Sequence, residues 1–172
     1  FRPFTGYEAR SGSWTATTGE IANITGATML AANATINGLR VNGANTLTLT
    51  SRVLTFGGID NKAGLILNNG TLTGGAVDFG ANKGFIYVSG PNASIASAIR
   101  GSGGLVVAGA PGTRLKLDCW ETTYSGLLTV AGTTVEISSL TELGASGTPF
   151  TLDGGGMLHF TNSLDMTRVL TF

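Results

Sequence analysis

Residues 105–137 read LVVAGAPGTRLKLDCWETTYSGLLTVAGTTVEI. Four short runs in this stretch alternate apolar and other residues: Leu105 with Val107, Leu115 with Leu117, Leu128 with Val130, and Val135 with Ile137. A two-residue period puts one set of side chains on one face of a strand, whereas a helix needs three- and four-residue steps. Gly, Pro-Gly, Ser-Gly and Gly-Thr punctuate the runs, and such residues break strands into turns. The second pair of runs also repeats the first, because Leu128 follows Leu105 and Val135 follows Leu115 at intervals of 23 and 20.

The same recurrence extends outward in both directions. One ladder runs through Ile36, Leu54, Val77, Ile95, Leu115, Val135 and Leu158, with steps of 18, 23, 18, 20, 20 and 23. A second runs through Leu47, Leu65, Ile86, Leu105, Leu128, Phe150 and Leu170, with steps of 18, 21, 19, 23, 22 and 20. Two interleaved ladders with a common step near 20 describe a chain that returns to the same places once per turn. This predicts an all-β fold, a parallel β-helix (β-solenoid) of about 20 residues per coil. With coils stacked ~4.8 Å apart, seven or eight of them would form a rod ~35–40 Å long. Like-on-like interior stacks follow, for example Phe56 over Phe79. A β-sandwich or barrel would also show alternating runs and turns, but has no reason to hold one step through six intervals.

Composition agrees and excludes other classes. Of 172 residues, 27 are glycine, 42% are hydrophobic and 12% are charged, with no formal net charge. Disorder needs high charge and few apolar residues; collagen needs a third-residue glycine period. No apolar run approaches the ~20 residues of a membrane span. Ten basic against ten acidic residues leave no field to attract nucleic acid. The single cysteine, Cys119, excludes an internal disulfide framework and reads as a structural, at least half-buried thiol. Residues 1–13 read as an N-terminal extension or linker, and 14–172 as the repeat domain, cut from a longer solenoid. The pentapeptide Arg-Val-Leu-Thr-Phe at 52–56 recurs at 168–172, which suggests a unit that continues into further coils or docks end to end with another copy.

The stretch 94–131, SIASAIRGSGGLVVAGAPGTRLKLDCWETTYSGLLTVA, resembles the autotransporter-associated β-strand repeat, also called the passenger-associated transport repeat. The matching residues are Ile99, 101–105, Gly109, Gly112, Thr113, Leu115, Leu117, 124–126, Thr129, Val130, Gly132 and Thr133. Residues 143–144 and 152–156 continue the likeness, while 118–121 depart from it. The resemblance implies a right-handed parallel β-helix in a secreted or surface-displayed bacterial protein, with motif residues that are architectural.

Parallel β-helices also carry polysaccharide lyases and hydrolases, which need carboxylates paired at ~5–9.5 Å or oxygen ligands for calcium. Asp60 with Asp78, or Asp118 with Glu136, has the spacing of the shortest ladder step and could stack one coil apart. A cleft lined by three or more charged side chains would mark such an enzyme. Gly154, Gly155 and Gly156 lead into Met157 rather than the aspartate of a calcium-binding nonapeptide. His159, the only histidine, lies between Leu158 and Phe160 and should point outward. Residues 101–104 (GSGG) lack the Lys-Ser/Thr of a phosphate loop. Trp14, Trp120, Tyr7 and Tyr124 could stack on sugars or fold over coil edges. The sequons at Asn23, Asn33, Asn69 and Asn92 fit an Asn- and Thr-rich composition. The reading is a structural or adhesive extracellular solenoid on a bacterial surface, a stalk, fibre or filament segment. It is not an enzyme, and no residue is assigned a catalytic, cofactor-binding or metal-binding role. Its partners are neighbouring repeats or copies of itself end to end, with surface glycans as a further candidate. The alternative is a polysaccharide-degrading enzyme or glycan-binding module.

Overall fold

The computed structural model describes residues 6–57, 63–119 and 122–163. Fifteen strands follow in chain order: β1 (Glu8–Trp14), β2 (Ile21–Leu30), β3 (Ala34–Ile36), β4 (Gly38–Asn42), β5 (Thr46–Phe56), β6 (Ala63–Asn68), β7 (Thr71–Asp78), β8 (Gly84–Val88), β9 (Ala93–Arg100), β10 (Leu105–Gly109), β11 (Arg114–Leu117), β12 (Leu128–Ala131), β13 (Thr134–Ile137), β14 (Phe150–Asp153) and β15 (Met157–Phe160). Every ladder between them is parallel. The order β14-β12-β10-β8-β6-β4-β2-β5-β7-β9-β11-β13-β15 separates even strands from odd ones, as coiling demands. The fold is a β-solenoid of about 6 turns with about 22 residues per turn. With β1 paired to β2, eight strands stack from β1 to β14, ~34 Å from first to last at ~4.8 Å per step; the coil is slightly longer than the step near 20 expected.

The longer coil has a physical source: the early turns have three faces. The first face carries β2 (its first half), β4, β6, β8, β10, β12 and β14. The second carries the later half of β2, the first halves of β5, β7 and β9, then β11, β13 and β15. A third consists of β3 and the last residues of β5, β7 and β9, where Ala34 pairs with Leu54, Leu54 with Val77, and Val77 with Ile99. Strand β1 pairs with β2 from Glu8 to Trp14, so residues 8–13, expected as an extension, already belong to the sheet.

Alternation buries one side of each face, and the interior is a set of like-on-like columns. On the first face Ala22, Leu39, Leu65, Ile86, Val107, Val130 and Leu152 stand in unbroken register. On the second, Leu47, Leu72, Ile95 and Leu117 form one column, and Ala93, Leu115, Val135 and Leu158 another. Burying each such Leu, Ile or Val stabilises by ~1.5–3 kcal/mol.

These columns correct the sequence ladders at identifiable points. Leu47 and Leu65 lie on different faces. Val77 and Ile95 also do, so the first ladder jumps from the third face to the second. Ile36 is level with Phe56 rather than Leu54, and Ile95 with Leu117 rather than Leu115. Ile86 is level with Val107, whereas Leu105 faces Gly84. The reason is local packing: a Cβ on Gly84 would lie 2.7 Å from Cγ of Phe79 and 3.0 Å from Cδ1 of Leu105, so those two side chains occupy the space. The expected members Leu170 and Phe172, and the repeat of 52–56 at 168–172, lie outside the described residues.

Candidate functional site

The motif-rich stretch builds corners rather than a ligand cradle. Thr113 donates its hydroxyl to Ala110 O at 2.6 Å, lies 2.8 Å from the Thr133 hydroxyl one coil later, and accepts Thr133 Oγ1 on its own carbonyl at 3.1 Å. The two Gly-Thr pairs thus form a buried hydroxyl stack. Residues 101–104 are wedged between coils: Ser102 N donates to Gly80 O (2.7 Å), Gly84 N to Gly104 O (2.9 Å), and Ser125 N to Gly101 O (3.0 Å). A Cβ on Gly103 would sit 2.3 Å from Ala81 O, leaving no room for a phosphate there.

A cluster of charged side chains lies on the second face. Register sets Lys116 beside Glu136 and Glu136 beside His159. Glu136 Oε2 accepts from Arg114 Nη1 at 3.0 Å and lies 3.2 Å from His159 Nδ1. Lys116 Nζ donates to Asp118 Oδ2 at 2.9 Å; that bond and the Asp118 charge raise the lysine pKa. Asp118 and Glu136 are therefore not a stacked carboxylate pair. Each holds a cation, and the level opposite Glu136 is taken by Lys116, its register partner, instead of Asp118. Arg114, Lys116 and Glu136, with residues 92–94, line a shallow groove of about 180 Å³. It holds three charged side chains, the number expected of an enzyme cleft, but of mixed sign and with one carboxylate. His159 is exposed, as its position between Leu158 and Phe160 requires.

A second concavity, of about 350 Å³, lies where the second face turns into the third. Residues 50–53 bulge outward above Gly74, Gly75, Ala96 and Ala98, and Arg52 and Arg100 rim the hollow. Asp78 is level with Arg100 but spends Oδ1 on the Gly80 amide at 2.7 Å. Its suggested partner Asp60 lies outside the described residues.

Of the aromatics that could stack on sugars or fold over coil edges, two are interior. Trp14 and Tyr124 are each 2% exposed, and the Arg40 guanidinium lies 5.9 Å from the Tyr7 ring centre. Trp120 lies outside the described residues. Trp14 also reveals a network the sequence did not signal. Buried Glu20 accepts from Arg10 Nε at 2.6 Å, the Thr17 amide at 3.0 Å and Trp14 Nε1 at 3.4 Å. Burial opposes ionisation of Glu20, yet those donors and the Arg10 charge outweigh it and hold the carboxyl below its ordinary range.

Cys119 is fully buried and receives the Thr122 hydroxyl at 3.0 Å. Burial pushes its pKa up to about 11, so the thiolate that reactivity needs is suppressed. Two of the sequon asparagines serve the backbone: Asn33 Oδ1 accepts Val53 N at 2.9 Å, and Asn69 Oδ1 accepts Asn92 N at 3.1 Å. Among the described residues no group of three His, Cys, Asp or Glu is placed to hold a metal ion, and no helix is long and apolar enough to cross a membrane. Comparison of the chain with protein-family models, curated proteins and solved structures gives no match.

Proposed function

We propose that this chain is a structural or adhesive β-solenoid segment of a bacterial surface stalk, fibre or filament. The observation that carries the reading is the architecture of its polar groups. The threonines, asparagines and glycines of the motifs bond to adjacent coils, and Glu136, Asp118 and Glu20 each bond a neighbouring cation. Residues invested in coil-to-coil stacking leave little for chemistry on a substrate. The extracellular bacterial setting rests on the repeat-like stretch 94–131 alone.

A second reading draws on one observation, Glu136 held between Arg114 and His159 in a groove. A saccharide-active site could use a carboxylate and an imidazole as base and acid. Two measurements separate the readings. Antibody against the chain should label intact cells of the source bacterium, and purified chain should release no reducing ends or unsaturated sugars from neutral or uronate polysaccharides. Cleavage that Glu136→Gln abolishes would overturn the structural reading, and labelling confined to the cytosol would overturn its surface placement.

A further inference from the structure

The outer side of the first face differs from the other two. Its outward positions form two columns in strict register. One is Arg40, Ile66, Tyr87, Ala108, Ala131 and Asp153. The other, at the preceding outward position of each strand, is Gly64, Phe85, Val106, Thr129 and Thr151. The second face presents Thr46, Thr48, Thr71, Thr73, Lys116, Glu136 and His159 to the outside. The first presents an apolar strip instead, with Phe85 40% exposed and Leu127 at its margin 44% exposed. Ile66 projects outward between the interior Leu65 and Leu67, although it is only 8% exposed. Between Arg40 and Asp153 neither column holds a charge.

We infer that this face docks on the same face of a second copy, with the two solenoid axes antiparallel. A two-fold axis along the strand direction, between the β8 and β10 levels, turns each column onto itself end for end. Arg40, which within one copy donates to Asn42 Oδ1 and lies over the Tyr7 ring, then meets Asp153 of the second copy at both ends of the strip. Ile66 meets Ala131, Tyr87 meets Ala108, and Phe85 meets Val106. Large residues fall opposite small ones, which is how two sheet faces ~10 Å apart interdigitate. A two-fold interface must be self-complementary, and this order of residues is. A parallel arrangement with its two-fold through this column would set Arg40 against Arg40 and Tyr87 against Tyr87.

Size sets the strength. Six levels of short strands cover ~500 Å² per copy, so the pair buries ~1,000 Å², the lower limit for a specific interface. The dimer is therefore weak and concentration-dependent. It is lateral, and stands whether or not the chain is a surface fibre.

Sedimentation equilibrium of the whole chain tests it. The association that depends on this face should stop at two copies. Phe85→Lys, at an exposed position, should raise the dissociation constant at least ~10-fold while leaving unchanged the melting curve recorded at dilute, monomeric concentration. Asp153→Arg should weaken the dimer, and Arg40→Glu combined with Asp153→Arg should restore it, because the end pairs are exchanged rather than lost. If Arg40→Glu impairs folding, Phe85→Lys and Asp153→Arg decide alone. A chain monomeric at all attainable concentrations overturns the inference. So does association that survives Phe85→Lys or strengthens with Asp153→Arg.

Discussion

The Phe79 ring lies one coil from that of Phe56, centroids 4.9 Å apart and planes 9° from parallel. Both are essentially buried. The pair is the interior column of the third face reduced to its simplest case: identical side chains on successive turns, in contact because the coil returns.

Truncating either ring should be costly. Phe56→Ala or Phe79→Ala is expected to destabilise by ~3–5 kcal/mol. The double variant should lose less than the sum, with ~0.5–1.5 kcal/mol of coupling from the stacked rings. Denaturant melts of the four proteins measure this; strict additivity would mean the rings do not interact.

Glycine at the coil corner is required by contact as much as by conformation. Gly75 has φ +50°, and a Cβ there would lie 2.2 Å from Arg52 O. Gly154 has the same φ, with no atom within 4 Å of its Cβ position. Gly75→Ala should therefore cost several-fold more than Gly154→Ala, which carries only the ~1 kcal/mol of left-handed strain. Equal thermal shifts in the two variants would contradict the close stacking of β5 on β7.

Cys119 provides a pH signature. Its folded pKa of about 11 lies above the ordinary thiol value of 9.0, so the native state holds its proton where the unfolded chain has lost it. The contribution to stability is full below pH ~9 and falls as pH rises toward ~11. Cys119→Ser should flatten this alkaline loss. A thiol reagent at pH 8 should label native protein only as fast as it opens; immediate labelling would contradict the burial.

Much of the fold was legible because period-two alternation and Gly-Thr corners recur along the chain. The Phe56–Phe79 stack and the column Leu115, Val135, Leu158 follow from spacing alone. Face identity did not, because every face alternates with the same period and the steps overlap. Leu47 looks like a partner of Leu65, yet it pairs with Leu72. The paired register of Leu105 with Gly84 is invisible until Phe79 is seen filling the missing side chain's place. The charged groove was half legible. Asp118 and Glu136 were the right neighbourhood, but Lys116 and Arg114, which belong to no recognisable motif, are what the two carboxylates bind. Nothing local in sequence joins Glu20 to Arg10 and Trp14.

The interior assignment has a disruptive test. Leu115 is fully buried between Ala93 and Val135, so Leu115→Asp places an unpaired carboxylate in the stack at a cost of several kcal/mol. Because each coil rests on its neighbours, hydrogen exchange should accelerate in β9 and β13 as well as β11. Unchanged circular dichroism and melting temperature would refute the column.

The stacking itself is tested most directly by a cross-link across one coil. In a Cys119→Ala background, Lys116→Cys with Glu136→Cys places two thiols at paired positions of adjacent parallel strands, within the ~4.4–6.8 Å Cα separation a disulfide allows. Mild oxidation should close this bridge rapidly, while Asp118→Cys with Glu136→Cys, the pairing that the shortest ladder step implies, should stay reduced. Bridging of 118 to 136 without bridging of 116 to 136 would contradict the register that builds every interior column.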